Sequence, residues 1–342
     1  MNVNLKDIAQ ETGFSINTVS RALRGDTRIS EKTRTLIKQT AENMGYIPNN
    51  LACSLRRGKT KTISVIAGDI ANPYFAIMIK GIEAEMERYG YTVLVLNTNE
   101  DEDKELIAIK TSLQKKVDGI LICPVQKSTM NIAYLKSSHI PFVLFGRRFK
   151  TFPTDYVVPD EKMGGYLATK HLLDNGHKNI IFLIANEYIS SSMERIEGAQ
   201  LAFSEAGMPF PKENLYYLEV AKPDIYNKMK SNHIRLDSAT AFFCFSDIIA
   251  HECIYALKKI GKQVPEDISV VGFDHIQSSF LLATDITSVR SYKNLTSKTA
   301  VQILLDKMQD NDDELRCITL KVDLAPGETV RNISNADTRI SR

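Results

Sequence analysis

Four short apolar runs alternating with helix-length stretches, followed by four more, leave this chain few architectures to choose from. The first set is TISVIA (62–67), TVLVLN (92–97), GILICPV (119–125) and PFVLFG (141–146), separated by stretches such as Tyr74 to Tyr89 and Glu102 to Lys115. The second is NIIFLIA (179–185), LYYLEV (215–220), TAFFCF (240–245) and ISVVGF (268–273). Helices are expected near Met163 to Asn175, Met193 to Ala206 and Ile248 to Ile260. Strands that are apolar throughout need cover on both faces, which the helices of βαβ crossovers supply. Two such sets predict an α/β core of two doubly wound parallel-sheet lobes. The turn GHKN (176–179) reads as a helix terminator and not as a metal site.

Open parallel sheets take ligands in the crevice beyond the carboxyl ends of their strands, so the residues standing there are the candidates. After the first and fourth runs come Asn72-Pro73-Tyr74-Phe75 and Gly146-Arg147-Arg148. The second set supplies Arg195 in SSMERIEG, Ser246-Asp247 after AFFCF, and Phe273-Asp274-His275. Rings can meet the apolar faces of a sugar while carboxylates and guanidinium groups bond its hydroxyls, so the group suits a polyhydroxylated small molecule. Any one of these is an ordinary loop or capping residue. Their recurrence at successive strand ends carries the expectation.

Ahead of the core, residues 4–25, NLKDIAQETGFSINTVSRALRG, have a different character. Asn4 and Ser15 suit the N-caps of two short helices, the second stopping at Gly25. Gly13 suits the left-handed residue between them, and Ala9 is small enough for a close crossing. Val19, Ala22 and Leu23 make the inward stripe of the second helix, with Val19 reaching back to Leu5 and Ile8. This is the helix-turn-helix spacing, whose second helix offers its N-terminal residues to the DNA major groove. The outward residues are Ile16, Asn17, Ser20 and Arg21, and Thr18 joins them as a DNA-binding candidate. Asn suits adenine, Arg guanine, and Ile a thymine methyl. The alternative is an amphipathic hairpin with a solvated outer face. A third helix capped by Ser30, with Leu36, Ile37, Ala41 and Met44 on one face and Gly45 at its end, would give the three a small core of their own.

Charge separates the two parts. Residues 1–62 hold eleven Lys or Arg against five Asp or Glu, a net +6, while the remaining residues hold 32 against 36, a net −4. A cationic module ahead of an anionic body is what attraction to phosphates requires. No apolar run is long enough to span a membrane and the N-terminus is polar, so the expectation is a cytoplasmic protein. The five cysteines (53, 123, 244, 253 and 317) lie far apart without a CxxC, and Cys123 and Cys244 fall in strand-like runs that predict buried thiols. Gly58-Lys59-Thr60 lacks the rest of a phosphate-binding loop, and His251-Glu252 lacks a second histidine at Tyr255. No enzyme, cofactor or metal is expected.

Residues 4–57 resemble the N-terminal region of the lactose-repressor (LacI) family of bacterial transcription regulators, through KDIAQETGFSINTVSRALRG, ISEKTRTLIKQTAENMGYIPN and NNLACSLRR. The likeness continues through DIANPYFA, PFVLFGR, SMERIEGAQLAFSEAG and ISVVGFD, and so spans nearly the whole chain. It implies a helix-turn-helix domain (1–48) and a hinge helix and linker (49–61). It also implies an effector-binding, dimerising core (62–342) resembling periplasmic sugar-binding proteins. Lobe one would be about 62–158 plus 288–318, and lobe two about 159–287 plus 319–342. The resemblance further implies that Leu55 wedges into the minor groove beside Ala52 and Arg56. Asn72, Phe75, Arg147, Arg195, Asp247 and Asp274 would then line the effector cleft, and the strand-end reading adds Tyr74, Ser246 and Phe273. Ser246 stands where relatives carry Asn, and Gly146 where Asp or Asn is frequent. The expected partners are double-stranded operator DNA, a small-molecule effector related to a sugar, and a second copy of the chain. Two other readings are a global metabolic switch answering to a partner protein and a sugar-binding transport protein.

Overall fold

The computed structural model describes residues 3–47, 59–219, 222–279, 282–309 and 314–334. The chain divides into two compact units, Met1–Thr60 and Lys61–Arg342.

The first unit contains helices α1 (Leu5–Thr12), α2 (Ile16–Leu23) and α3 (Glu31–Asn43). Each begins where a side chain satisfies amide groups that the helix itself leaves unpaired. Asn4 and Asp7 form a reciprocal capping box, Ser15 Oγ accepts from Thr18 N–H at 3.1 Å, and Ser30 Oγ accepts from Thr33 N–H at 3.2 Å. Gly13 turns the chain between α1 and α2 at φ +72°. Ile8, Val19, Ala22, Ile37 and Ala41 are buried together, flanked by Leu5, Ala9, Phe14 and Met44. Leu36 is not part of this core. It is 49% exposed, because its direction on α3 falls outside the stripe set by Ile37 and Ala41. Helix α2 ends at Leu23, and Gly25 shapes the turn that follows at φ +78°.

In the second unit, the eight apolar runs are strands of two six-stranded sheets. Sheet one takes β1 (Thr62–Ala67), β2 (Thr92–Asn97), β3 (Gly119–Ile122), β4 (Phe142–Phe145), β5 (Tyr156–Pro159) and β11 (Cys317–Leu320) in the order β11-β5-β4-β3-β1-β2. Sheet two takes β6 (Ile180–Ala185), β7 (Leu215–Leu218), β8 (Ala241–Cys244), β9 (Ser269–Asp274), β10 (Thr287–Ser291) and β12 (Val322–Ala325) in the order β12-β10-β9-β8-β6-β7. All pairings are parallel except β10 with the edge strand β12.

Sheet one is buried on both faces. Helices α4 (Pro73–Glu87) and α11 (Lys293–Gln309) cover Ile63, Val65, Leu121 and Val143. Helices α5 (Glu102–Gln114) and α6 (Met130–Ser137) cover Ile66, Ile120, Ile122 and Leu144. On sheet two, α7 (Glu161–Asp174) and α8 (Ser190–Glu205) pack over Phe182, Phe243 and Val271. Helix α10 (Asp247–Lys259) and the short α9 (Ile225–Lys230) cover Ile181, Leu183, Phe242 and Val270. Strand β2 reads as apolar but forms an edge, leaving Val95 38% exposed. Cys123 and Cys244 are buried, as is Cys253.

The chain passes between the lobes three times: after Pro159, at Tyr292 between β10 and α11, and at Lys321 between β11 and β12. The sequence places the second and third passages four and two residues too early. Strand β10 pairs with β9 and so belongs to sheet two, while β11 pairs with β5 through Leu320.

Candidate effector cleft and DNA-reading surface

The carboxyl ends of both sheets open on one cavity of ≈ 560 Å³. Asn72 caps α4, its Oδ1 accepting from Tyr74 N–H at 3.0 Å, and this fixes Pro73, Tyr74 and Phe75 as the first turn facing the cavity. Tyr74 and Phe75 meet edge to face, with centroids 5.3 Å apart. Arg147, after β4, is 8% exposed and grips Glu100 through two bonds, Nη1–Oε2 at 2.7 Å and Nη2–Oε1 at 2.9 Å. Burial works against its charge, but the Glu100 carboxylate more than compensates and holds the guanidinium well above its ordinary value.

Lobe two contributes Arg195. Helices α7 and α8 cross with their backbones in contact, because a Cβ on Gly165 would stand 2.0 Å from the Arg195 carbonyl oxygen and one on Gly198 would stand 1.9 Å from that of Lys162. The crossing brings Arg195 Nε to 2.7 Å from Glu161 Oε2. Its Nη1 donates to the Phe245 carbonyl, Nη2 lies 4.0 Å from Asp274, and the guanidinium stacks 3.4 Å from the centre of the Phe273 ring. Burial pushes the Glu161 carboxyl up to about 7 against the pull of Arg195, and raises Asp274 for the same reason. Burial also raises Tyr74, with Asp274 across the cavity adding to it. At the cavity wall the Cys123 thiol is pushed up to about 12 by burial, so it stays protonated.

Of the cleft residues expected from the sequence, Asn72, Tyr74, Phe75, Arg147, Arg195, Ser246 and Asp274 line this cavity. Asp247 and Phe273 do not. The Asp247 side chain turns away into the protein, accepting from Ser288 Oγ at 2.6 Å and from Ile276 N–H at 2.7 Å, and burial lifts its carboxyl to about 7. It braces the Asp274-His275 turn, whose two residues have φ of +93° and +53°. Phe273 lies beneath Arg195, where it serves as the stacking surface. The sequence reading missed Glu100 and Glu161. Glu100 follows β2 in the polar stretch NTNED, the same kind of strand-end position as those after β1 and β4, while Glu161 reads as a first-turn acid of α7.

In the first unit, α2 leaves Ile16 (45%) and Asn17 exposed, with Ser20 and Arg21 half-buried. Thr18 belongs to the cap, its Oγ1 sharing a hydrogen bond with Ser15 Oγ at 2.9 Å. Arg21 Nε donates to Asp26 Oδ2 at 3.0 Å, so the guanidinium is aimed by the turn after α2. Arg28 and Arg21 together hold the Asp26 carboxyl well below the usual range. Ala52, Leu55 and Arg56 lie outside the described residues.

Residues 4–49 match the model of the bacterial regulatory proteins of the lacI family, and residues 60–326 match that of the periplasmic binding proteins and sugar binding domain of the LacI family. The chain belongs to the LacI family. A LacI-family relative, the HTH-type transcriptional repressor PurR of Aliivibrio salmonicida (strain LFI1238), is 30% identical over 330 residues, covering 96% of this chain and 99% of that protein. The lac repressor dimer bound to operator and the anti-inducer ONPF superimposes with a TM-score of 0.83 at 22% identity, over 97% of this chain and 100% of that one. A LacI-family regulator from Enterococcus faecium with bound ribose gives a TM-score of 0.70 at 25% identity, over 80% and 100%. This LacI-family member is thus a helix-turn-helix regulator with a periplasmic-binding-protein-like core. Among the described residues, no helix is long and apolar enough to cross a membrane.

Proposed function

We propose that the protein is a repressor that binds a near-palindromic operator as a homodimer and changes its grip when a sugar or sugar derivative occupies the cleft between the core lobes. One headpiece helix reads few base pairs, and a two-fold pair of headpieces matches two half-sites. The observation that carries the effector assignment is the cavity itself. Both sheets end on it, aromatic rings line it beside carboxylates and guanidinium groups, and its size falls within the range of small-molecule sites, about 300–1,000 Å³. A ligand touching both lobes favours their closure, and closure is the event that can be coupled reciprocally to DNA affinity. Asn17 and Arg21 would read base edges, and Leu55, with Ala52 and Arg56, would act at the centre of the operator. No catalytic step is assigned to the cleft.

The likeness to a repressor named PurR, 30% identical over almost the whole chain, supports a second reading in which the effector is a purine base. A thermal-shift screen of the full chain against neutral pentoses, hexoses and purine bases separates the two, because a specific ligand stabilises the native state. Operator affinity is then measured with each compound that registers. A sugar that shifts both readouts supports the first reading, a purine that does so replaces it, and no shift from any compound removes the effector assignment.

A further inference from the structure

We propose that Glu100 sets the charge class of the cleft's ligand: by filling the guanidinium fork of Arg147, it makes the cleft accept uncharged hydroxylated molecules and turn away phosphorylated ones. This rests on the cleft being the effector site. A guanidinium presents parallel N–H groups that fit a carboxylate or a phosphate equally well. In this cleft the carboxylate is built in. Both Nη atoms of Arg147 are taken by Glu100, at 2.7 and 2.9 Å, and Nη1 also donates to the Pro124 carbonyl at 3.2 Å.

The backbone holds Glu100 in this position. Asn99 and Glu100 have φ of +50° and +56°, a left-handed pair that side chains rarely adopt, and Glu100 N–H donates to the Gly68 carbonyl at 3.1 Å. A Cβ at Gly68 would stand 2.2 Å from Glu100 Oε1, so the residue after β1 leaves the room that the carboxylate fills. Arg195, the other guanidinium of the cleft, is bonded through Nε to Glu161 and through Nη1 to the Phe245 carbonyl, with Asp274 4.0 Å from Nη2. Among the described residues, six carboxylates line the cavity against three cations, and the third cation, Lys222, sits on the connection from β7 to α9. A dianion entering this space meets surplus negative charge and no vacant fork, while hydroxyl groups find acceptors throughout.

The test uses the full chain and inorganic phosphate as the probe, with binding followed by calorimetry or phosphorus NMR. Glu100→Gln keeps the shape of the side chain but removes its charge, and it is expected to bind phosphate at least about tenfold more tightly than the unaltered protein. Glu100→Ala, which clears the fork altogether, is expected to show the same gain. Adding Arg147→Gln to either variant is expected to abolish it. Equal phosphate affinity in the unaltered and Glu100 variants overturns the proposal, and so does a gain that survives Arg147→Gln. If the gain appears as described while no neutral sugar or purine stabilises the unaltered protein, the charge gate stands and the effector assignment fails by itself.

Discussion

Replacing Arg195 with Ala leaves the Glu161 carboxyl buried without its cation, while Asp274 keeps Lys293 beside it, and the resulting loss of stability depends on pH in a direction the geometry fixes. Arg195 is bonded to Glu161 at 2.7 Å and stacks on Phe273, so the variant removes an ion pair and a cation–π contact together. Stranding the partner of a buried pair costs about 3–5 kcal/mol, and a desolvated cation–π contact about 2 kcal/mol. Protonation offers an escape from the first cost but not from the second. With Arg195 present, the Glu161 carboxyl already stands at about 7, and without it the value must rise further. At pH 5 the Glu161 carboxyl is protonated in the folded state of the unaltered protein and the variant alike, and the loss reduces to stacking and packing, roughly 2–3 kcal/mol. At pH 8 the unaltered carboxyl is largely ionised beside Arg195 while the variant's must hold its proton against the solvent, which adds about 1–1.5 kcal/mol because the difference opens only above about pH 7, for a loss of roughly 3–4 kcal/mol. Urea denaturation of the full chain at both values, followed by far-UV circular dichroism, measures the difference. Glu161→Gln added to Arg195→Ala should recover the extra loss seen at pH 8 and change little at pH 5. An equal loss at both values, or no recovery at pH 8, would refute the electrostatic account of this site.

Ile8→Ala removes the centre of a core that holds five buried side chains among the described residues, and a loss of about 2–5 kcal/mol exceeds what so small a unit can absorb, so operator binding should vanish while core ligand binding persists. Arg21→Ala should weaken operator binding by about 1–3 kcal/mol and relax specificity at one base pair, as titration against an operator and its single-site variants would show. Asp26→Asn should produce part of that effect, because Asp26 aims Arg21 through the 3.0 Å bond. Asp247 titrates at about 7 in the folded protein and near 4 when unfolded, so the native state holds the extra proton. Its stabilising contribution is complete below about pH 4 and is lost as pH rises through 7. Asp247→Asn should therefore flatten the decline in stability over that interval by a few kcal/mol, and an unchanged slope would contradict the assignment.

The sequence by itself determined the element types, the headpiece and the two-lobed plan. Apolar runs with no polar face, such as IIFLIA and AFFC, alternating with helix-length stretches read as strands covered on both sides, and the caps Asn4, Ser15 and Ser30 announce themselves through local sequence. The strand-end rule likewise led to Arg147, Arg195 and Asp274, because position along the chain and position at the crevice coincide in parallel sheets. Only the tertiary structure decided which way neighbouring side chains turn. Asp247 follows directly on Ser246, yet one braces a buried turn and the other lines the cavity, a difference set by Ser288 and Ile276, about 30 to 40 residues further along. Strand β10 joins sheet two and not sheet one because β9 supplies its hydrogen bonds, and no local pattern in TSVRS carries that information. The occupied forks of Arg147 and Arg195 are also long-range facts. A charged side chain looks free in sequence until folding brings a carboxylate from 47 or 34 residues away within bonding distance, and that pairing governs what the cleft can hold.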